Sequence, residues 1–131
     1  MNPTAYISGH LDLTGEEFKL HYRDKIYDAI LRGHDIIVGD APGADTMAQT
    51  MLNEYCKPNG PGENKITVYH MLYQPRNNVG GFNTFRGFQT DAQRDTMMTT
   101  NSTYDIAWVR PGREKSGTAK NLKRRGTGNV D

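Results

Sequence analysis

Residues 35–45 constrain the fold of this chain more than any other stretch. Asp35 to Val38 (DIIV) is a compact apolar run that passes directly into Gly39-Asp40-Ala41-Pro42-Gly43-Ala44-Asp45. Ala44, Met47, Ala48, Met51, Leu52 and Tyr55 then recur at the spacing of one helical face. A buried strand, a glycine-bearing turn and an amphipathic helix form the repeating piece of a parallel sheet. Gly39 and Gly43 let the backbone turn tightly and let a ligand approach it. Free N–H groups at the helix start favour an anion. Asp40 and Asp45 work against a phosphate there. They suit the hydroxyls of a ribose, or they cap the helix.

The same alternation recurs on both sides of this unit. Thr4 to Ser8 (TAYIS) reads as a first strand ending at Gly9. Thr14-Gly-Glu-Glu17 has the capping-box form. Phe18, Tyr22, Ile26, Ala29 and Ile30 then mark one helix, with Gly33 as its stop. Lys57 to Asn64 is a turn-rich break, and Ile66 to Met71 (ITVYHM) is a third strand. Gln74 to Phe88, with Phe82, Phe85 and Phe88, reads as a long loop. Thr90-Asp-Ala-Gln93 opens a helix through about residue 101, and Asp105 to Val109 (DIAWV) is a fourth strand. After the polar loop Arg110 to Lys115, Ser116-Gly117-Thr118 opens a last helix through about Arg124. This pattern predicts a Rossmann-like three-layer α/β/α domain with a mainly parallel sheet of about four to five strands. It spans residues 1–125, with 126–131 as a flexible tail.

Composition narrows the partners. A net charge of +1 over 131 residues gives no global electrostatic case for nucleic acid. The run from Lys115 to Arg125 is a local basic exception. A mean hydropathy of −0.76 and the lack of any long apolar run speak against a membrane. The single cysteine, Cys56, cannot form an internal disulfide, which favours a reducing compartment. Met1 to Ser8 is too short for the apolar part of a signal peptide. The expected location is cytoplasmic.

In parallel sheets ligands bind beyond the carboxyl ends of the strands. Those ends carry Ser8-Gly9-His10, Gly39 to Asp45, His70-Met71 and Arg110 to Thr118. Gly9 permits close approach of a ligand. The hydroxyls and N–H groups of Ser116, Gly117 and Thr118 make a phosphate cradle, and Arg94 or Arg110 is placed to neutralise the phosphate. Asp91 and Asp95 share a helix face. Asp95 or Asp45 is a candidate catalytic carboxylate that stabilises a cationic sugar or activates water. On spacing alone a surface ion-pair helix accounts for Asp95 as well. His10 and His70, with no matching carboxylate spacing, make a weak metal case. No metal and no cofactor are expected. His21 and His34 read as solvated helix residues, Trp108 as a core residue or a base-stacking one, and Cys56 as structural.

Ser8-Gly9, Gly39-Asp-Ala-Pro-Gly-Ala-Asp-Thr-Met-Ala48 and Ser116-Gly-Thr118 together resemble the SLOG superfamily. This is the Rossmann-like group related to DprA and the LOG phosphoribohydrolases. The YspA-like branch, whose second turn reads roughly Gly-Gly-Ala-x-Gly-Ala-Asp, is the most similar. The resemblance spans most of residues 4–125 and implies the fold, a nucleotide pocket and association into homo-oligomers. Residues 94–124 are also similar to nucleoside 2-deoxyribosyltransferases and deoxynucleotide N-glycosidases. There an acidic residue in the helix before the late strand helps hold the sugar, and Asp95 stands at that position. Their nucleophilic glutamate in the last helix has no counterpart here, because Ala119, Lys120, Asn121 and Leu122 follow Thr118.

Three functions are compatible with these residues. The first is a module that binds a nucleotide, a nucleoside phosphate or an ADP-ribose derivative, as sensor or sequestering protein. The second is a hydrolase that cleaves a nucleotide N-glycosidic bond using an aspartate. The third is an oligomeric structural protein that reaches a neighbour through the loop at residues 74–88.

Overall fold

The computed structural model describes residues 2–56, 64–71 and 75–129. Strands β1 (Thr4–Ile7), β2 (Asp35–Gly39), β3 (Ile66–Met71), β4 (Asn83–Phe88) and β5 (Tyr104–Ile106) form one sheet in the order β4-β3-β2-β1-β5. Every neighbouring pair is parallel. Helices α1 (Gly15–His21), α2 (Arg23–Leu31), α3 (Ala44–Tyr55), α4 (Asp91–Thr100) and α5 (Gly117–Asn129) cover it. This is the expected three-layer α/β fold.

Side-chain alternation along the strands divides the core in two. Ala5, Ile7, Ile36, Val38, Ile66, Val68 and Ile106 pack with Tyr22, Ile26 and Ala29 of the α1–α2 region and Ala48 and Leu52 of α3. Tyr6, Ile37, Tyr69 and Phe88 point the other way and pack with Met98 of α4. Burying each large aliphatic or aromatic side chain contributes about 1.5–3 kcal/mol. The second layer is thinner, and α5 joins it through a hydrogen bond from Asn121 Nδ2 to the Tyr6 hydroxyl at 2.9 Å.

The caps follow the sequence closely. Thr14 accepts the Glu17 N–H while Glu17 accepts the Thr14 N–H. After α2, Gly33 takes φ 72°. The His34 N–H reaches the Ala29 carbonyl and the Gly33 N–H reaches Ile30. That pair of bonds is a Schellman motif, which glycine enters without the Cβ penalty. At α4, Thr90 accepts the Gln93 N–H, but the Gln93 side chain accepts from Gln89 rather than from Thr90.

Several elements differ from the sequence reading. The single helix expected over residues 14–33 is two helices that meet at Tyr22, where φ is −121°. The distorted backbone aims the Tyr22 phenol beneath the ends of the central strands. The stretch 74–88, expected as a loop, contains edge strand β4. Its first five residues are exposed, so no hydrophobic alternation marks it. Its aromatics serve the sheet instead: Phe85 and Phe88 lie 4.9 and 5.9 Å from Tyr69, centroid to centroid. Strand β5 stops at Ile106 rather than Val109, and α5 continues to Asn129, past Arg124 and into the expected tail. Most of the break expected at Lys57 to Asn64, and Gln74, lie outside the described residues.

Candidate functional site

The sheet order creates the crevice. Strand β1 has β2 on one side and β5 on the other, and the chain leaves those two neighbours toward opposite faces. Beyond their carboxyl ends lies a cleft of 640 Å³, at the switch point where such folds hold ligands. Tyr6, Ser8 and Gly39 supply strand-end residues, α4 supplies Asp91, Arg94 and Asp95, and α5 supplies Gly117, Thr118 and Asn121. Gly9, His10, Ala41, Asp45 and Ser116 complete the sequence-predicted residues that line it.

One polar atom in this cleft lacks a partner among the described residues. Ser8 is 6% exposed, and its Oγ is buried with no hydrogen bond. Leaving such a group unsatisfied costs about 1–3 kcal/mol. The Ser8 carbonyl, by contrast, accepts a hydrogen bond from Tyr22 at 2.8 Å. At the start of α5, Ser116 Oγ accepts the Ala119 N–H at 3.2 Å, as an N-cap does. Among the described residues the N–H groups of Gly117 and Thr118 donate to no carbonyl or side chain. Both residues line the cleft, at the positive end of the helix dipole.

The opposite side is acidic. Arg94, 8% exposed, donates from Nε and Nη2 to Asp95 at 3.3 and 3.2 Å. Its guanidinium also lies 3.5 Å from Asp91 and from Asp40. Burial pushes the Asp95 carboxyl up, against the opposing pull of Arg94. Asp45 accepts the Ala41 N–H at 3.2 Å. Burial raises its carboxyl to about 7, assisted by the charges of Asp40 and Asp95. Asp45 therefore changes its charge within the physiological range. The Tyr6 phenol is raised well above its usual value by burial, with Asp95 and Asp45 adding to the shift. His10 is held below its usual value by burial and by Arg110 and Arg113. Its Nε2 accepts the Arg110 N–H at 2.8 Å, which puts the proton of the neutral ring on Nδ1.

Four sequence-predicted binding residues lie outside the cleft lining. Asp40 is 1% exposed and accepts the Arg76 N–H at 2.7 Å and the Arg76 guanidinium at 2.8 Å. Gly43 and Ala44 pack against the loop after β1. Gly43 has φ 77°, a Cβ on it would strike the carbonyls of Leu11 and His10, and the Ala44 N–H donates to His10. The first N–H of α3 is thus taken by the chain's own carbonyl, and the carboxylate of Asp45 beside it disfavours an anion. Arg110 is held by Glu17, at 2.6 and 2.9 Å, and by Asp12 at 3.2 Å. That pairing holds the Glu17 carboxyl at about 2, and it leaves Arg110 no free edge for a phosphate. Gly9 also serves packing, since a Cβ there would meet the Tyr22 hydroxyl and Ala44.

Among the residues missed by sequence reasoning, Tyr6, Arg113 and Asn121 carry polar groups into the cleft. Two periodicities mark two of them. Tyr6 is two residues before Ser8 on a strand, and Asn121 is three after Thr118 on a helix. The histidines depart from expectation. His21 stacks on Trp108 at 3.9 Å, and His34 Nδ1 lies 2.7 Å from the Tyr104 hydroxyl. Trp108 packs against the first core layer and lies outside the cleft lining. Among the described residues no group of three metal-ligating side chains converges, and no helix is long and apolar enough to cross a membrane. Cys56 is half-buried, and burial pushes its thiol up, away from the reactive thiolate. Comparison of the chain with models of protein families and with curated protein sequences finds no match.

Proposed function

We propose that this protein binds a nucleotide or nucleotide-derived molecule in the cleft at the ends of β1, β2 and β5. The observation that carries this reading is the unpartnered Ser8 hydroxyl, buried in a cleft that Gly117 and Thr118, with their free N–H groups, also line. A phosphate at Gly117 and Thr118 satisfies those donors and is the anion that a helix start favours. Arg113, which lines the same cleft, adds a cation. Sugar hydroxyls satisfy Ser8 on the floor and the carboxylates of Asp45 and Asp95. Binding without turnover, as in a sensor or sequestering protein, needs nothing further. The resemblance to SLOG proteins is in keeping with this reading. Isothermal titration with nucleosides, nucleoside 5′-monophosphates and ADP-ribose tests it. Saturable binding that needs the phosphate is expected, and no heat with any of them overturns it.

One observation favours hydrolysis of an N-glycosidic bond as a second reading. Two carboxyls with raised values, Asp45 and Asp95, line one cleft. Such a pair divides the work of an acid and of an anionic stabiliser. One carboxylate supports positive charge on the sugar, while the other, protonated part of the time near pH 7, protonates the departing base. Water then attacks the sugar carbon and gives its proton to the carboxylate that the acid left behind. Overnight incubation with the same compounds, read by mass spectrometry for free base, separates this reading from simple binding.

A further inference from the structure

We infer that the cleft selects nucleotides whose base carries a fixed positive charge, a ligand class that rests on the nucleotide reading above. The two helical walls of the cleft differ in sign. On the α5 side stand the N–H groups of Gly117 and Thr118 together with Arg113, whose guanidinium also pairs with Asp12 at 2.7 Å. On the α4 side and around the end of β2, Asp45, Asp91 and Asp95 line the cleft with the buried Asp40 behind them, and the cations in contact with these four are Arg76 and Arg94. Four carboxyl groups thus contact two guanidiniums, with a third, Arg124 of α5, acting on Asp95 from further off.

Neither contacting guanidinium has charge to offer a ligand. Arg76 is bound to Asp40, and Arg94 is shared among Asp40, Asp91 and Asp95. Asp91 and Asp95 sit one helical turn apart on the cleft lining and draw on that single guanidinium. The Ser8 hydroxyl, buried and unpartnered in the same cleft, is an independent sign that a ligand completes the site. A phosphate has its place at the α5 wall. A second phosphate or an acidic base would meet the carboxylates of α4. A neutral base leaves their excess charge uncompensated. A pyridinium or an N-alkylated purine supplies the missing positive charge at the right end, and its attraction is strengthened where the cleft excludes water.

Matched pairs test this by isothermal titration at pH 7.5: 7-methylguanosine 5′-monophosphate against GMP, and nicotinamide mononucleotide against its reduced form, whose dihydropyridine ring is neutral. In each pair the cationic base is expected to bind at least tenfold more tightly. The difference should shrink as salt is raised from 50 to 500 mM, where exposed charges such as Asp91 are screened. In the double variant Asp91→Asn, Asp95→Asn, folded by circular dichroism, it should fall below threefold. Should that variant not fold, the salt series on the unaltered protein decides alone. Equal affinity within both pairs overturns the charge selection and leaves the nucleotide reading standing. No binding by any of the four, or by ADP-ribose, overturns both.

Discussion

The Tyr22 hydroxyl donates to the carbonyl oxygen of Ser8 at 2.8 Å, and so anchors from the core side the residue whose own hydroxyl is left free in the cleft. The same phenol accepts the Trp108 N–H at 3.0 Å. One buried side chain thereby ties the end of β1 to the segment after β5, the two strands that frame the crevice. Burial raises its ionisation to about 12, so it remains a neutral donor at any working pH. Tyr22→Phe leaves a carbonyl and an N–H without their partner. A loss of about 1–3 kcal/mol is expected, read as a lower urea midpoint at unchanged slope.

Asp45 gives stability a pH dependence. Its carboxyl, ordinarily at 3.8, titrates at about 7 in the fold. Below the lower value both folded and unfolded chains hold the proton. Between the two values only the folded chain does, so this group's contribution falls as pH rises through that window and stays lost above it. Asp45→Asn keeps an acceptor for the Ala41 N–H and removes the buried charge. It should stabilise the protein by about 2 kcal/mol at pH 8 and change little at pH 4. Thermal melts across that range check it.

Asp40 has the opposite sign. Burial disfavours its charge, but the hydrogen bonds and charge of Arg76, with Arg94, outweigh that and hold the carboxyl below its usual range. Its contribution is present above about pH 4 and is lost as pH falls through the lowered folded value. Asp40→Asn leaves the nearly buried Arg94 with one partner fewer and should cost about 3 kcal/mol at pH 7. Arg76→Ala should cost less, about 1 kcal/mol, because the Arg76 side chain is 55% exposed. Chemical denaturation of the two variants at pH 7 gives the comparison.

Gly39 lets the cleft close on Asp45. A Cβ at this position would lie 2.5 Å from Asp45 Oδ2. Gly39→Ala therefore has to displace the carboxylate, at a cost of about 1–3 kcal/mol. The displaced group should titrate closer to its ordinary value, as carbon-detected NMR of the Asp45 carboxyl would reveal.

Most of the fold is legible because each clear element carries its own local signal. Asp35 to Val38 is continuously apolar because β2 is covered on both faces, and Thr14 with Glu17 announces α1 by a reciprocal cap. Strand β4 has no such signal: an exposed edge strand has one neighbour and little core to satisfy, and its aromatics resemble those of a loop. The turn from Gly39 to Asp45 was the strongest motif in the sequence, yet only part of it faces the cleft. Spacing identifies a tight turn but not what covers it, and the carbonyls of His10 and Leu11 come from a distant part of the chain. Arg110 was legible as a cation beside the site. Its engagement by Glu17 and Asp12, about a hundred residues away, was not. Ser8, Asp45, Asp95 and Ser116 to Thr118 line one cleft because all follow strand ends or lie in the first turns of helices on the same edge of a parallel sheet.

If the Ser8 hydroxyl waits for a ligand rather than supporting the fold, the melting temperatures of the unaltered protein and Ser8→Ala, with and without nucleoside 5′-monophosphates, will separate the two roles. Ser8→Ala alone should be as stable as the unaltered protein or up to about 1 kcal/mol more so, since it removes a buried group without a partner. The shift that ligand produces in the unaltered protein should be at least halved in the variant. A variant destabilised without ligand, together with ligand shifts equal in the two proteins, would contradict the ligand-binding role.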